Sequence, residues 1–311
     1  MKKILLTILL SLFMSATCLA KMEDGIKAYK KGDYEAAFHI FLPMTVIDDK
    51  VADRYINLIH QQGQKSFKAG DYHSALTIFL LLAPYDYPFV KSKFPVICQE
   101  GVKAFKAKKY AAAKKLLRPL ANYGEPDAQY YLARMYRDGL GVKKTIGKSV
   151  SWYKKAAVQG HTQAQYHLAD MYHKGRGVPQ NYSVALRLLK IADKKGHAGA
   201  QNKIGRMYEL GEGVDVDFSI AYMLYKKASD QGFTDADFNI GMFYLNGTGV
   251  KADRTIAVRF LKKAANSGHT AAKQTLANLD STTNKTRKST KHSGNKKTTV
   301  KSKLLNNEHN G

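Results

Sequence analysis

Glycine returns along this chain at a fixed step, and that step restricts the fold more than any other feature. Gly124, Gly160, Gly196, Gly232 and Gly268 stand 36 residues apart. The pairs Gly139 and Gly141, Gly175 and Gly177, Gly211 and Gly213, and Gly247 and Gly249 keep the same step, as do Tyr136, Tyr172, Tyr208 and Tyr244. A period of roughly 20 to 50 residues denotes a stacked array in which each unit buries its apolar side on its neighbours. The register gives four complete units and a partial fifth.

Within a unit, Ala128, Leu132, Met135 and Tyr136 recur at helical spacing, and so do Val150, Tyr153, Ala156 and Ala157. The spacing predicts two helices per unit. The Gly-x-Gly-Val segment suits a chain leaving the first helix, where a glycine in the left-handed region closes the last turn. Thr145, Asn181, Asp217 and Asp253 stand three residues past each valine, placed to cap the second helix. Small residues recur where two helices must approach: Ala133, Ala169, Gly205 and Gly241 on the first, and Ser149, Ala185, Ala221 and Ala257 on the second. Glycine inside a helix costs about 1 kcal/mol relative to alanine, so its presence implies close packing. Trp152 shares its phase with Leu188, Leu224 and Phe260 and reads as core.

A second period lies upstream. Gly25 to Tyr34, Gly63 to Tyr72 and Gly101 to Tyr110 are similar segments 38 residues apart, and Phe41, Phe79 and Leu117 follow in phase. Gly-Asp-Tyr is placed at the turn between helices, and Lys108-Lys109 replaces Gly-Asp in the third copy. Pro84, Pro88 and Pro95 predict a loop that bends the array. The expectation is an all-α chain, an α-solenoid of about seven stacked antiparallel helix hairpins in a right-handed, tetratricopeptide-like superhelix.

The pattern Ala-x3-Leu-[Ala/Gly]-x2-Tyr-x2-Gly-x-Gly-Val, with alanines and a glycine in the second helix, resembles the Sel1-like repeat, a relative of the tetratricopeptide repeat. Its cleanest copy is Ala164, Leu168, Ala169, Tyr172, Gly175, Gly177, Val178, Ala185, Ala192 and Gly196. The expected organisation is a signal peptide at 1–20, degenerate tetratricopeptide-like repeats at 21–123, Sel1-like repeats at 124–279 and a disordered basic tail at 280–311. The resemblance implies a non-catalytic adaptor that holds proteins or peptides together, and exported bacterial members look like periplasmic regulators or factors that engage host cells. The alternative is a cell-wall-associated enzyme, or an inhibitor of one, with a scattered site. Members with paired cysteines in each repeat exist; this chain has none.

The residues carry no recognisable reaction centre. Gly141 to Ser149 imitates a phosphate loop, but five residues separate its glycines where four are required, and later copies put Ser183, Ser219 and Thr255 at the Gly147 position. His161, His197 and His269 share one repeat position, where Phe233 replaces one of them, and read as packing or turn residues rather than metal ligands. No cofactor and no metal are expected. In such arrays the first helices line the concave side, so outward positions that vary between copies are free to read a partner. These are Tyr130, Arg134 and Arg137, then Tyr166, Asp170 and His173, and Arg206 in the third copy.

The ends concern location. Lys2 and Lys3 precede the apolar run Ile4 to Met14, and Cys18 and Ala20 set small residues around a cleavage point before Lys21. The chain is expected to be periplasmic or secreted; a lipoprotein anchored through Cys18 is the competing reading. No later run approaches the roughly 18 residues of a membrane span, so an integral membrane protein is not expected. Cys98 is then unpaired and reads as a buried small hydrophobe. Net charge is +25, of which the tail from Ser281 holds +7, while residues 21–280 hold +16. Anionic partners follow from that balance, for the tail acidic envelope material such as lipopolysaccharide phosphates; export argues against nucleic acid.

Overall fold

The computed structural model describes residues 20–45, 50–85 and 88–281. The expected signal segment before residue 20, Cys18 and the tail beyond 281 lie outside the described residues. The fold is all-α, an α-solenoid of antiparallel hairpins, and among the described residues no strand occurs. Helices α1 (20–30) and α2 (Tyr34–Thr45), α3 (Lys50–Lys68) and α4 (Tyr72–Leu82), and α5 (Pro88–Lys106) and α6 (Tyr110–Tyr123) form three hairpins. Four more follow: α7 (Pro126–Asp138) with α8 (Ile146–Val158), α9 (Thr162–Lys174) with α10 (Tyr182–Lys194), α11 (Ala198–Leu210) with α12 (Phe218–Asp230), and α13 (Thr234–Asn246) with α14 (Arg254–Asn266). Helix α15 (270–281) ends the described chain. Two compact units divide between Ala164 and Gln165.

In the first unit, the glycines repeated at 38 residues are contact points. A methyl group on Gly25 would lie 2.7 Å from the Phe41 ring, one on Gly63 2.8 Å from Phe79, and one on Gly101 2.8 Å from Leu117. Glycine therefore seats the large residue of the next helix, and Phe41, Phe79 and Leu117 are all fully buried. Each such side chain stabilises the fold by about 2 kcal/mol relative to exposure. The turns work as the sequence indicates in two copies of three. Gly32 and Gly70 take φ of +80° and +76°, and Asp33 and Asp71 accept hydrogen bonds from the Ala36 and Ser74 N–H groups. In the third copy Lys108 is forced to φ +60°, and Lys109 makes no side-chain cap.

Proline departs from expectation. Pro95 lies inside α5 and opens no loop, and Pro43 and Pro119 also lie within helices. Pro88 begins α5, and Ala83–Tyr85 form a 3-10 turn. Cys98 is buried as expected, and burial, then the charges of Asp127 and Glu125, push its thiol up to about 12.

The second unit shows the long loop in its regular form. Gly211 and Gly247 close α11 and α13 in the left-handed conformation, and the N–H groups of Asp217 and Asp253 donate back to the Tyr208 and Tyr244 carbonyls at 3.0 and 2.9 Å. Asn181, Asp217 and Asp253 cap their helices through the side chain. In the first unit Thr145 does not: its hydroxyl donates to the Lys143 carbonyl instead, because a rotating hydroxyl can choose a local acceptor where a carboxylate cannot. The second-unit small residues pack as predicted. A methyl group on Gly205 would lie 2.9 Å from Tyr225, and one on Gly241 2.8 Å from Leu261. Trp152, read as core, is half-buried, with the Lys155 ammonium 4.3 Å from its ring centre.

Candidate functional site

The recurring histidine fixes the local geometry around two of the expected binding residues, Tyr130 and Tyr166. His197 precedes α11; its Nδ1 accepts from the Ala200 N–H at 3.0 Å, and its ring stacks on Tyr166 at 4.8 Å. His269 does the same with Ala272 and Phe238, at 3.1 and 4.5 Å. In the first unit His161 accepts from Ala164 and stacks on Tyr130, at 3.1 and 4.6 Å. The imidazole is thus a helix cap and a packing plate together, and among the described residues no cluster suited to a metal ion occurs. Phe233 takes the same place before α13 without a side-chain cap.

This arrangement occupies several residues expected to read a partner. Tyr130 is only 7% exposed beneath His161. The half-buried Arg134 guanidinium lies 4.8 Å from the Phe105 ring centre and 5.6 Å from that of Tyr131, and its Nε has no hydrogen-bond partner. Arg137 makes two 2.8 Å bonds to Asp138. The helical spacing that puts these three on one face is real, but neighbouring helices cover much of that face. Beside them a cleft of about 560 Å³ is lined by Gln99, Lys103, Lys106, Asp127, Tyr131 and His161 among others.

In the second unit, Tyr166, His173 and Arg206 line one cleft of about 230 Å³ with Asn202, Lys203, Glu212 and Asp235. Asp170 supports it from below, bonded by Lys203 and by Lys174. Burial pushes the Asp170 carboxyl up, but the bonds and charges of the two lysines outweigh it and hold it below the usual carboxylate range. Lys203 is shifted down, chiefly by burial. His173 Nε2 stands 2.7 Å from Glu212, and its Nδ1 is buried without a hydrogen-bond partner. Arg206 is exposed. The cleft therefore sets charges of both signs and an amide around an aromatic edge, chemistry suited to peptide backbone and polar side chains.

One polar feature was legible as a signal but not drawn from the sequence. Gln129, Gln165, Gln201 and Asp237 share a repeat position inside otherwise apolar helix faces and are buried. Gln231 donates to Gln201 at 2.6 Å, and the Lys263 ammonium reaches Asp237 at 2.7 Å. These groups bind successive helices together within the second unit, as Gln159 does with Gln129 in the first at 2.9 Å.

The Sel1 repeat family model matches residues 126–161, 162–197, 198–233 and 234–269, and each match begins where α7, α9, α11 or α13 begins. The chain carries four Sel1 repeats over residues 126–269. A Sel1 repeat protein from Oxalobacter formigenes has a similar structure, with 29% identity over 68% of this chain and 86% of that one, and a TM-score of 0.54. The protective antigen c5321 of uropathogenic Escherichia coli, which displays an SLR fold, has 23% identity over 88% of this chain and 59% of that one, also with a TM-score of 0.54. A comparison with curated proteins gives no match. Sel1 repeats generally mediate protein–protein interactions and typically form non-catalytic scaffolds. Among the described residues, no helix is long and apolar enough to cross a membrane.

Proposed function

We propose that this repeat protein is an exported adaptor that captures a protein or peptide on the first-helix face of its repeats. The observation that carries the reading is the second-unit cleft, where Tyr166, His173 and Arg206, separated by up to 40 positions in sequence, meet around one opening. Aromatic and guanidinium groups anchor interfaces more often than other side chains. Export rests on the basic, apolar and small-residue pattern of residues 1–20, and makes the partner a periplasmic or extracellular protein. Arg206 is the informative residue, because it is exposed and its replacement leaves the core intact. Tyr130 is a poor probe, since removing it also unseats His161.

The test is capture of envelope and secreted proteins on the chain from Lys21, followed by titration of the purified partner. Arg206→Ala is expected to weaken that partner about tenfold or more. Unchanged affinity in both Arg206→Ala and Arg206→Glu would remove the cleft as the binding site. A reporter fused behind residues 1–20 that stays cytoplasmic would overturn the export half independently.

A further inference from the structure

We infer that the outward face of α6 and α8 in the first unit docks on an anionic lipid surface. They are the second helices of successive hairpins, and their surroundings touch at two places. In the loop that leads into α8, Gly141 lies against Tyr110 at the start of α6, so closely that a methyl group on it would sit 2.7 Å from the Tyr110 Cβ. At their ends, the Gln159 amide donates to the Gly124 carbonyl at 2.8 Å. Their exposed stripes therefore form one surface: Ala111, Lys115, Arg118 and Asn122 on α6, and Lys148, Ser151, Lys155 and Val158 on α8.

The charge of that surface is one-sided. Residues 107–124 and 139–161 hold ten Lys and Arg residues and no Asp or Glu. This is no general property of second helices in the chain, since α10 holds Asp193 and α12 holds Asp230. Nine of the ten cations are lysines. Lysine is a hydrated point charge, depleted in the cores of protein interfaces and without the planar fork that reads phosphates or bases bidentately. An array of them, spaced by Ala111, Ala112, Gly147 and Ser151, suits a broad layer of headgroups better than a shaped partner. Polybasic segments gain attraction with each added cation near such a surface. Val158, 88% exposed at the end of the α8 stripe, supplies an apolar contact at headgroup depth.

The experiment is co-sedimentation with vesicles of 30% phosphatidylglycerol in phosphatidylcholine, against phosphatidylcholine alone. The chain used runs from Lys21 to Gly311 with all eight basic residues of the tail, Lys285, Arg287, Lys288, Lys291, Lys296, Lys297, Lys301 and Lys303, replaced by Gln, so that the tail does not mask the face. Binding to the anionic vesicles is expected to fall at least tenfold when Lys115, Arg118, Lys148 and Lys155 are all changed to Glu, and to fall steeply with salt. Circular dichroism on the same variant shows that the helices remain. Charge reversal without effect, equal binding to neutral vesicles, or retention of duplex DNA or a polyglutamate peptide in preference to the vesicles would each overturn the inference. Arg206→Glu, the probe of the peptide cleft, is expected to leave vesicle binding unchanged.

Discussion

The hairpins at 50–125 and the repeats from 126 onward solve one problem with different turns. The former use a 19-residue first helix and a three-residue turn; the latter use two 13-residue helices and a seven-residue loop. In the short turns, glycine answers only a backbone demand: Gly70 sits at φ +76° with nothing near its missing side chain. In the long loops it answers two demands. Gly213 sits at φ +75°, and a methyl group there would lie 2.6 Å from the Tyr182 Cβ and 3.3 Å from its carbonyl carbon. The same residue type is thus replaceable in one design and fixed in the other.

The largest effect should come from breaking that distinction. Gly213→Ala is expected to cost about 3 kcal/mol, combining the left-handed penalty with a clash against backbone, whereas Gly70→Ala costs about 1 kcal/mol. Urea unfolding midpoints measure both, and equal losses would show that the Tyr182 contact contributes nothing. A gain of function in the fold comes next. Lys108→Gly with Lys109→Asp restores the turn found in the other two copies and should stabilise the chain by about 1 to 2 kcal/mol, from relieved φ and a new cap. A variant no more stable than the parent would mean that the third turn is not strained. The smallest test concerns the long loops alone: Asp253→Ala should cost about 1 kcal/mol and speed amide exchange in the first turn of α14, while Thr145→Ala should change the first turn of α8 by only a few tenths.

Much of the fold was legible because its information is periodic. Gly205 and Gly241 announce close approach, and Gly211 and Gly247 announce left-handed helix ends; both readings depend on one residue and its backbone. The functional face was less legible because it depends on who stands opposite. Tyr130 has outward phase in its own helix, yet the ring of His161 closes over it. Arg137 shares that phase and is held by Asp138. Pro95 misled for a related reason, since a helix 19 residues long can absorb a proline that local rules would place at its edge. The buried Gln201 and Asp237 show the converse, polar residues at a helix's inner phase whose partners come from elsewhere in the unit.

The histidine that closes three of the four matched repeats belongs to two neighbours at once. The ring of His197 lies on Tyr166, inside the segment 162–197, while its nitrogen serves Ala200 in the segment that follows. A stretch of gene encoding one such segment, copied in tandem, would deliver a ready-made joint on either side of the insertion. Lineages of this architecture can therefore lengthen or shorten in whole modules without any compensating change at the seams.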